Sequence, residues 1–415
     1  MLSDVLVLQK RELEARLAER FIERDAKLRN AASDTIKVII GPRRAGKSFF
    51  AIHELRKLGS FGYVNFDDEQ LAKVEDFNEV LAAIDSLYGS PRFLLLDEVQ
   101  NFPKWELLAN RLQRQGRNLF LTGSNSNLLS AELATHLTGR HTLAYVFPFS
   151  FKEFLALEKK ELTSAETKQK LLDFVTYGGF PEPLVKKMDY ADYVSRLFDN
   201  IMYKDIISRY KLRRIKTVRE IAQILFSNVT KEFSYNQLKN SVQKTSVVTL
   251  QRFISYLEEA FVFFEMPRFS FKAKEQAKYN KKIYCFDNGY IFAKAFKTSP
   301  DWGGLFENAV AIELKKGEIE HEHKVFYWKN AQNHEVDFAI QKDRKISRLI
   351  QVCFDPTDPK TKKREERALL RASHELNCQN LLVLTNDYEA TQKTEWFGLK
   401  GTVKYKPLWK WLLEN

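Results

Sequence analysis

The chain of 415 residues contains only three cysteines, Cys285, Cys353 and Cys378, each isolated from the others. That excludes a disulfide framework and any CxxC-type metal site. Its seven histidines never pair with a cysteine at ligand spacing, and His321 and His323 read as part of a solvated loop. Long apolar runs are also missing. The N-terminus, MLSDVLVLQKRELEARL, has one short run before dense charge, which fits neither a signal peptide nor a membrane span. The expectation is a cytoplasmic protein with no membrane partner. Repeats, low-complexity tracts and Pro/Ser-rich linkers are absent too, so domain joins must be read from changes of pattern.

What is present points to several domains, because 415 residues exceed what one core usually supports. The balance of 66 Lys+Arg against 54 Asp+Glu gives +12 and a pI near 9.3. Such a balance favours nucleic acid or another polyanion as partner.

The most informative stretch is IKVIIGPRRAGKS, residues 36 to 48, a β-branched run that empties into a glycine-bounded loop and then a helix. The loop residues Gly41, Pro42, Arg43, Arg44, Ala45, Gly46, Lys47, Ser48 and Phe49 read as a nucleotide phosphate site. Gly41 lets the chain leave the strand sharply, and Gly46 lets backbone N–H groups close on phosphate without a Cβ between them. Lys47 puts an ammonium on the β- and γ-phosphates, Ser48 offers a hydroxyl to Mg²⁺, and the helix points its positive end at the same anion. A plain glycine turn is the competing reading, and the flanking strand and helix weigh against it. Arg43 and Arg44 add charge, at least one of them as a solvated side chain.

Residues 8 to 28 are apolar at helical spacing among alternating charges, which predicts an amphipathic helix. From 36 to about 148 the runs KVII, YVNF, FLLL, NLFL and LAYV alternate with helical stretches. That alternation predicts a mostly parallel α/β sheet with helices on both faces. FLLLDEVQ ends a strand in Asp97 and Glu98, where open α/β sheets face their ligand. Asp97 is assigned to the Mg²⁺ shell with Ser48, and Glu98 to activation of the attacking water. No NKxD signature of GTP specificity occurs, so ATP is preferred. In LFLTGSNSNLLS, Ser124 and Asn125 are candidates to touch the γ-phosphate or the water, with a helix cap as the alternative. In THLTGRH, Arg140 is either an arginine finger reaching a neighbouring subunit's γ-phosphate or an intrachain ion pair. The first option requires a homo-oligomer, with a ring as its closed form.

Taken in order, GPRRAGKS, LLLDEVQ, LTGSNSNLLS, LTGR, PFSFKEF and YGGFPE resemble the AAA+ ATPases of the archaeal type, which also occur in bacteria and carry a C-terminal domain of unknown function. The resemblance implies a P-loop AAA+ (ASCE) core over 1–148, its phosphate-loop strand flanked by inserted strands. It also implies ATPase activity, a helical lid and a DNA-binding module.

Residues 149–216 read as the helical lid, with Gly178 and Gly179 stopping one helix before Phe180-Pro181. Residues 217–300 read as a winged helix-turn-helix. TVREIAQILFSNV, YNQLKNSVQ and SVVTLQRFISYLEEAFV form three helices, the last opened by Lys244, Thr245 and Ser246. The aromatic-rich strands that follow enclose a loop with Lys272, Lys274, Lys278, Lys281 and Lys282, each able to displace a counterion from DNA. Residues 301–415 resemble the PD-(D/E)XK nuclease fold, a restriction-endonuclease-like α/β domain, which implies a metal-holding set at Glu307, Asp337 and Gln351. Its usual lysine is replaced by Cys353, whose neutral sulfur cannot stabilise developing charge on the scissile phosphate, with Lys329 or Lys363 as substitutes by migration. The combined expectation is an Mg²⁺-dependent ATPase acting on DNA. The alternatives are a nucleotide-gated DNA- or protein-binding switch with little turnover, and an ATP-coupled nuclease.

Overall fold

The computed structural model describes residues 2–74, 76–124, 141–242, 245–295 and 301–414; Asn125, Arg140 and Lys244 lie outside the described residues. The chain divides into two compact units. One comprises Met1–Glu153 with Phe180–Glu182 and Glu259–Phe261, and the other the remainder.

In the first unit, helix α1 covers Leu2–Ala18, so the helix expected over 8–28 starts earlier and stops ten residues sooner. The chain beyond it leaves helical geometry because Arg24 and Asp25 are held by Glu153, more than 120 residues away. Those tertiary bonds outweigh local helix preference. Five strands follow: β1 Ile36–Ile40, β2 Phe61–Asn65, β3 Phe93–Asp97, β4 Asn118–Gly123 and β5 His141–Tyr145. They make one sheet in the order β2-β3-β4-β1-β5, every neighbouring pair parallel. Between them lie α2 Lys47–Leu58, α3 Phe77–Tyr88 and α4 Trp105–Arg114. Ile39, Tyr63, Leu95, Phe120 and Ala144 turn one face of the sheet onto Phe50, Ile52 and Leu55 of α2 and Leu13 of α1. Strands β1 to β4 are buried along nearly their whole length, as a sheet covered on both faces demands, while the edge strand β5 is mostly half-buried. This is an α/β P-loop core in which β4 separates the phosphate-loop strand from the strand that ends in Asp97.

The second unit opens with α5 Ser164–Tyr177, begun by a capping box between Thr163 and Glu166. Then come α6 Tyr190–Asn200, which continues as a π-helical stretch Ile201–Ser208, and α7 Ile215–Ser227. The strand β6 Glu232–Phe233 precedes α8 Tyr235–Ser241 and α9 Val247–Glu259. Strands β7 Phe263–Pro267 and β8 Lys281–Cys285 complete a three-stranded antiparallel sheet of order β6-β8-β7. Next are α10 Asn288–Lys294 and α11 Trp302–Ile319. They lead into β9 Lys324–Lys329, β10 Glu335–Lys342, β11 Lys345–Val352, α12 Pro359–Leu376, β12 Leu381–Thr385, β13 Ala390–Trp396, β14 Leu399–Pro407 and α13 Leu408–Glu414. These six strands form a mixed sheet, β13-β14-β12-β11-β10-β9. Its inner strands pack on Ala368, Leu369, Ala372 and Leu376 of α12. Strand β13 was not anticipated: ATQKTEW alternates exposed with half-buried positions and has no apolar run to announce it. Among the described residues, no helix is long and apolar enough to cross a membrane.

Candidate nucleotide site and a second carboxylate cluster

The loop between β1 and α2 is shaped by close approaches. A Cβ at Gly41 would lie 1.9 Å from the Val146 carbonyl oxygen, so only glycine fits there. Gly46 has φ 95° and caps α2 in left-handed geometry. Beneath the loop, Arg24 donates from Nη1 to the Ala45 carbonyl at 2.9 Å, from Nη2 to the Phe147 carbonyl at 2.5 Å and from Nε to Glu153 at 3.0 Å. Both partners of that ion pair are buried. No sequence pattern marked Arg24, because RFIERD reads like any charged surface stretch.

Lys47, the first residue of α2, donates from Nζ to the Pro42 carbonyl at 2.9 Å and stands 3.8 Å from Glu98. Ser48 donates its hydroxyl to Asp97 at 2.7 Å. Asp97 also accepts from Thr122 and, at 3.2 Å, from Tyr63, whose oxygen in turn accepts from Arg16 at 3.0 Å. Burial and the neighbouring Glu98 push the Asp97 carboxyl upward, against the hydrogen bonds of Thr122 and Ser48. Glu98 behaves oppositely. Burial alone would raise it, but Lys47, Gln100, Arg43 and Ser124 together hold it below the usual carboxylate range. Its backbone is left-handed at φ 50°, a conformation that costs about 1–3 kcal/mol for a residue with a side chain. The Glu98 N–H donates to Thr122 Oγ1 at 2.9 Å, and Ser124 donates to its carboxylate at 3.1 Å. The fold thus brings Lys47, Ser48, Asp97, Glu98 and Ser124 into one group. Ser48 and Asp97 present two hard oxygen donors side by side, a set that fits Mg²⁺. Arg43 pairs with Asp67 at 3.3 Å, whereas the more exposed Arg44 reaches Glu182 at 3.4 Å. The Phe49 ring packs on Phe21 and His53.

A second polar cluster lies in the other unit. Glu307 on α11 and Asp337 on β10 do come together, but around Lys282 of β8. The buried ammonium lies 2.9 Å from Glu307, 2.8 Å from Glu335 and 3.3 Å from Asp337. Lys282 was expected on a DNA-facing loop. Instead it is only 3 % exposed, because β8 pairs with β6 and β7 and turns it inward onto the three acids. Desolvation would lower it, but Glu307 and its companions outweigh that and raise it. Tyr284 donates to Glu307 at 2.7 Å. Burial and then Asp337 push Glu307 up to about 8. Gln351 is committed at both ends of its amide, accepting from the Asp337 N–H at 3.2 Å and donating to Glu365 at 2.6 Å. Lys329 binds Glu232 and Glu335, and Lys363 is exposed on α12. Burial pushes the Cys353 thiol up to about 12, which keeps it protonated. Glu335, two residues before Asp337 on the same strand face, was legible from strand period but not singled out.

Of the remaining lysines, Lys272, Lys274 and Lys278 are exposed between β7 and β8, with Lys272 3.0 Å from Glu275. Lys281 is paired with Glu265. Ser246 caps α9 by accepting from the Thr249 N–H at 3.1 Å, while Thr245 is buried.

Comparison with known proteins accords with the first unit. Residues 33–155 match a family described as an AAA domain, and residues 168–300 and 302–400 match two domains of unknown function, DUF8612 and DUF4143. The uncharacterized protein MJ1544 of Methanocaldococcus jannaschii is 33% identical over 97% of this chain and 93% of its own length. An uncharacterized protein of Haemophilus influenzae is 29% identical over 78% of this chain and 83% of its own. Among solved structures, the Walker-type ATPase PABY2304 of Pyrococcus abyssi aligns with 68% of this chain and 95% of its own at 15% identity, with a TM-score of 0.42. With MJ1544 matched almost end to end and the phosphate loop set in an AAA domain, the chain belongs to the family of MJ1544, an AAA-type ATPase family.

Proposed function

We propose that this AAA-type ATPase is Mg²⁺-dependent, acts in the cytoplasm and uses its nucleotide state to control DNA held by the second unit. The observation that carries the chemistry is the Ser48–Asp97 contact of 2.7 Å beside a Lys47–Glu98 pair at 3.8 Å. Lys47 and the loop amides bind the β- and γ-phosphates, and the Pro42 carbonyl that now takes the ammonium keeps the Ala45 N–H as its donor. Ser48 and Asp97 hold the metal, which when bound neutralises phosphate charge. Glu98 is ionised at neutral pH and takes the proton of the attacking water, with Ser124 fixing its carboxylate. Asn125 contacts the γ-phosphate or water, and Arg140 serves a neighbouring copy in a homo-oligomer.

The DNA part of the proposal assigns 149–216 to a lid, 217–300 to a winged helix and 301–415 to a nuclease-like domain. Supporting the winged helix is the order α7, β6, α8, α9, β7, β8. The connection between β7 and β8, which includes the short helix Ala273–Gln276, presents Phe271, 75% exposed, beside Lys272, Lys274 and Lys278. An aromatic tip among lysines suits stacking and phosphate contact.

The test is a pair of variants in the full chain. Lys47→Ala is expected to abolish nucleotide binding, and Glu98→Gln to bind ATP normally while turnover falls at least a hundredfold. Hydrolysis by Glu98→Gln at the unmutated rate would remove Glu98 as the base. A second reading, a nucleotide-gated switch with little turnover, is favoured over a nuclease by the protonated, buried Cys353. Strong stimulation of ATP hydrolysis by DNA supports a motor, and slow, DNA-indifferent hydrolysis supports the switch.

A further inference from the structure

Converging carboxylates need a cation, and two kinds meet that need: a divalent ion taking several oxygen ligands, or an ammonium presented by the chain itself. Around Glu307, Glu335 and Asp337 the second kind is already in place, since Lys282 Nζ touches all three within 3.3 Å. The other polar neighbours are also committed. Tyr284 donates to the same Glu307 oxygen, the Val352 N–H donates to Asp337 at 2.9 Å, and Lys329 joins Glu335 at 3.2 Å. Burial does not bar an ion from outside. Glu307, Glu335 and Asp337 line a cavity of about 590 Å³ shared with Thr230, Gln237 and Asn280. Yet among the described residues no group of three His, Cys, Asp or Glu is arranged to hold a metal ion.

We infer that Lys282 is the resident cation of this cluster, occupying the place a divalent metal would need, so that the nuclease-like fold is closed to metal-dependent phosphodiester cleavage. The lysine comes from β8, outside the sheet that carries Asp337, and therefore fastens the three-stranded sheet to the six-stranded one by charge. A metal binding these three carboxylates has to displace the ammonium, because Lys282 Nζ already lies within 3.3 Å of an oxygen of each. The inference goes beyond the ATPase reading and does not depend on it; its consequence for cleavage rests on the nuclease-like reading of residues 301–415 proposed above, whereas the melting test below reads the cation directly.

The test uses the full chain, free of nucleotide, melted in EDTA and in Mn²⁺. Wild type and Glu307→Gln are expected to respond alike to Mn²⁺. Lys282→Met is expected to melt lower by roughly 5–10 °C in EDTA, because buried Asp337 and half-buried Glu307 and Glu335 lose their shared partner, and to regain most of that in Mn²⁺. Adding Glu307→Gln to Lys282→Met should abolish the Mn²⁺ response and raise the melting point in EDTA above the single variant. If Lys282→Met does not fold, the double variant carries the test and is expected to fold. The inference is overturned by a Mn²⁺ stabilisation of the wild type that Glu307→Gln removes, by Lys282→Met melting like wild type, or by a double variant no more stable than the single one.

Discussion

Thr122 joins the two acids of the nucleotide site, because its hydroxyl donates to Asp97 and accepts from the Glu98 N–H. Thr122→Val keeps the shape and strands both partners, a loss of about 1–3 kcal/mol. Turnover should fall while ATP affinity changes little, as separate kinetic and equilibrium titrations would read. A fall in affinity matching the fall in rate would show that Thr122 supports the loop rather than the acids. The depressed Glu98 adds a pH signature. Its contribution to stability is fully present above the ordinary glutamate range, near about 4.3, and is lost as pH falls through its lower folded value. The acid limb of kcat/KM, which reports the free enzyme, should accordingly lie below that range. Lys47, Ser48, Asp97 and Glu98 were readable because their chemistry is written in short local patterns. Thr122, Tyr63 and Arg24 were not, since each acts through a contact 25 to 129 residues distant, with nothing local to distinguish it from an ordinary core or surface residue.

Among elements, two supports are open to direct trial. Arg24 ties the phosphate loop to the chain after β5 through two carbonyls and Glu153. Arg24→Ala leaves a buried carboxylate unpaired, so stability should fall by about 3–5 kcal/mol and nucleotide binding should weaken with it. Arg24→Lys, which lacks the planar fork, should recover only part of either. In the second unit, the Gly178–Gly179 turn is closed by Asp287, which accepts from the Gly179 N–H at 2.7 Å and the Gly289 N–H at 2.8 Å. Burial pushes Asp287 up to about 7 against those bonds. The folded chain therefore holds this proton more tightly than the unfolded one, and the contribution to stability declines as pH rises from about 4 toward that value. Denaturant titrations at pH 5 and pH 8 should differ less for Asp287→Asn than for wild type. The parallel strands were visible as apolar runs and Ile201–Ser208 as part of a helical stretch; its π geometry was not, since no residue pattern marks it, and β13 was not, because it has no apolar run.

For the whole molecule, the DNA proposal yields a salt-dependence prediction. Reversing Lys272, Lys274 and Lys278 to Glu should weaken binding and lower the slope of log K against log salt by up to about 2.7, taking about 0.9 per phosphate contact. The same change at Lys282 should instead unfold the region, since that side chain is buried among acids. Unaltered affinity in the triple variant would assign the β7–β8 turn to protein contacts. Size measurement with an ATP analogue and DNA tests the proposed role of Arg140, which requires a homo-oligomer.

The match to two separate domains of unknown function invites expression of the stretch after residue 301 by itself, but β8 contradicts that division. A fragment beginning there keeps Glu307, Glu335 and Asp337 and leaves behind the ammonium that balances them. It also forfeits Phe269, whose N–H donates to the Tyr327 carbonyl at 2.7 Å on β9. Such a fragment should be poorly soluble at neutral pH, improve in acid and acquire an appetite for divalent ions foreign to its parent. The charges of the two stretches balance only together, and a cleavage activity found in the isolated piece would be a product of the scissors.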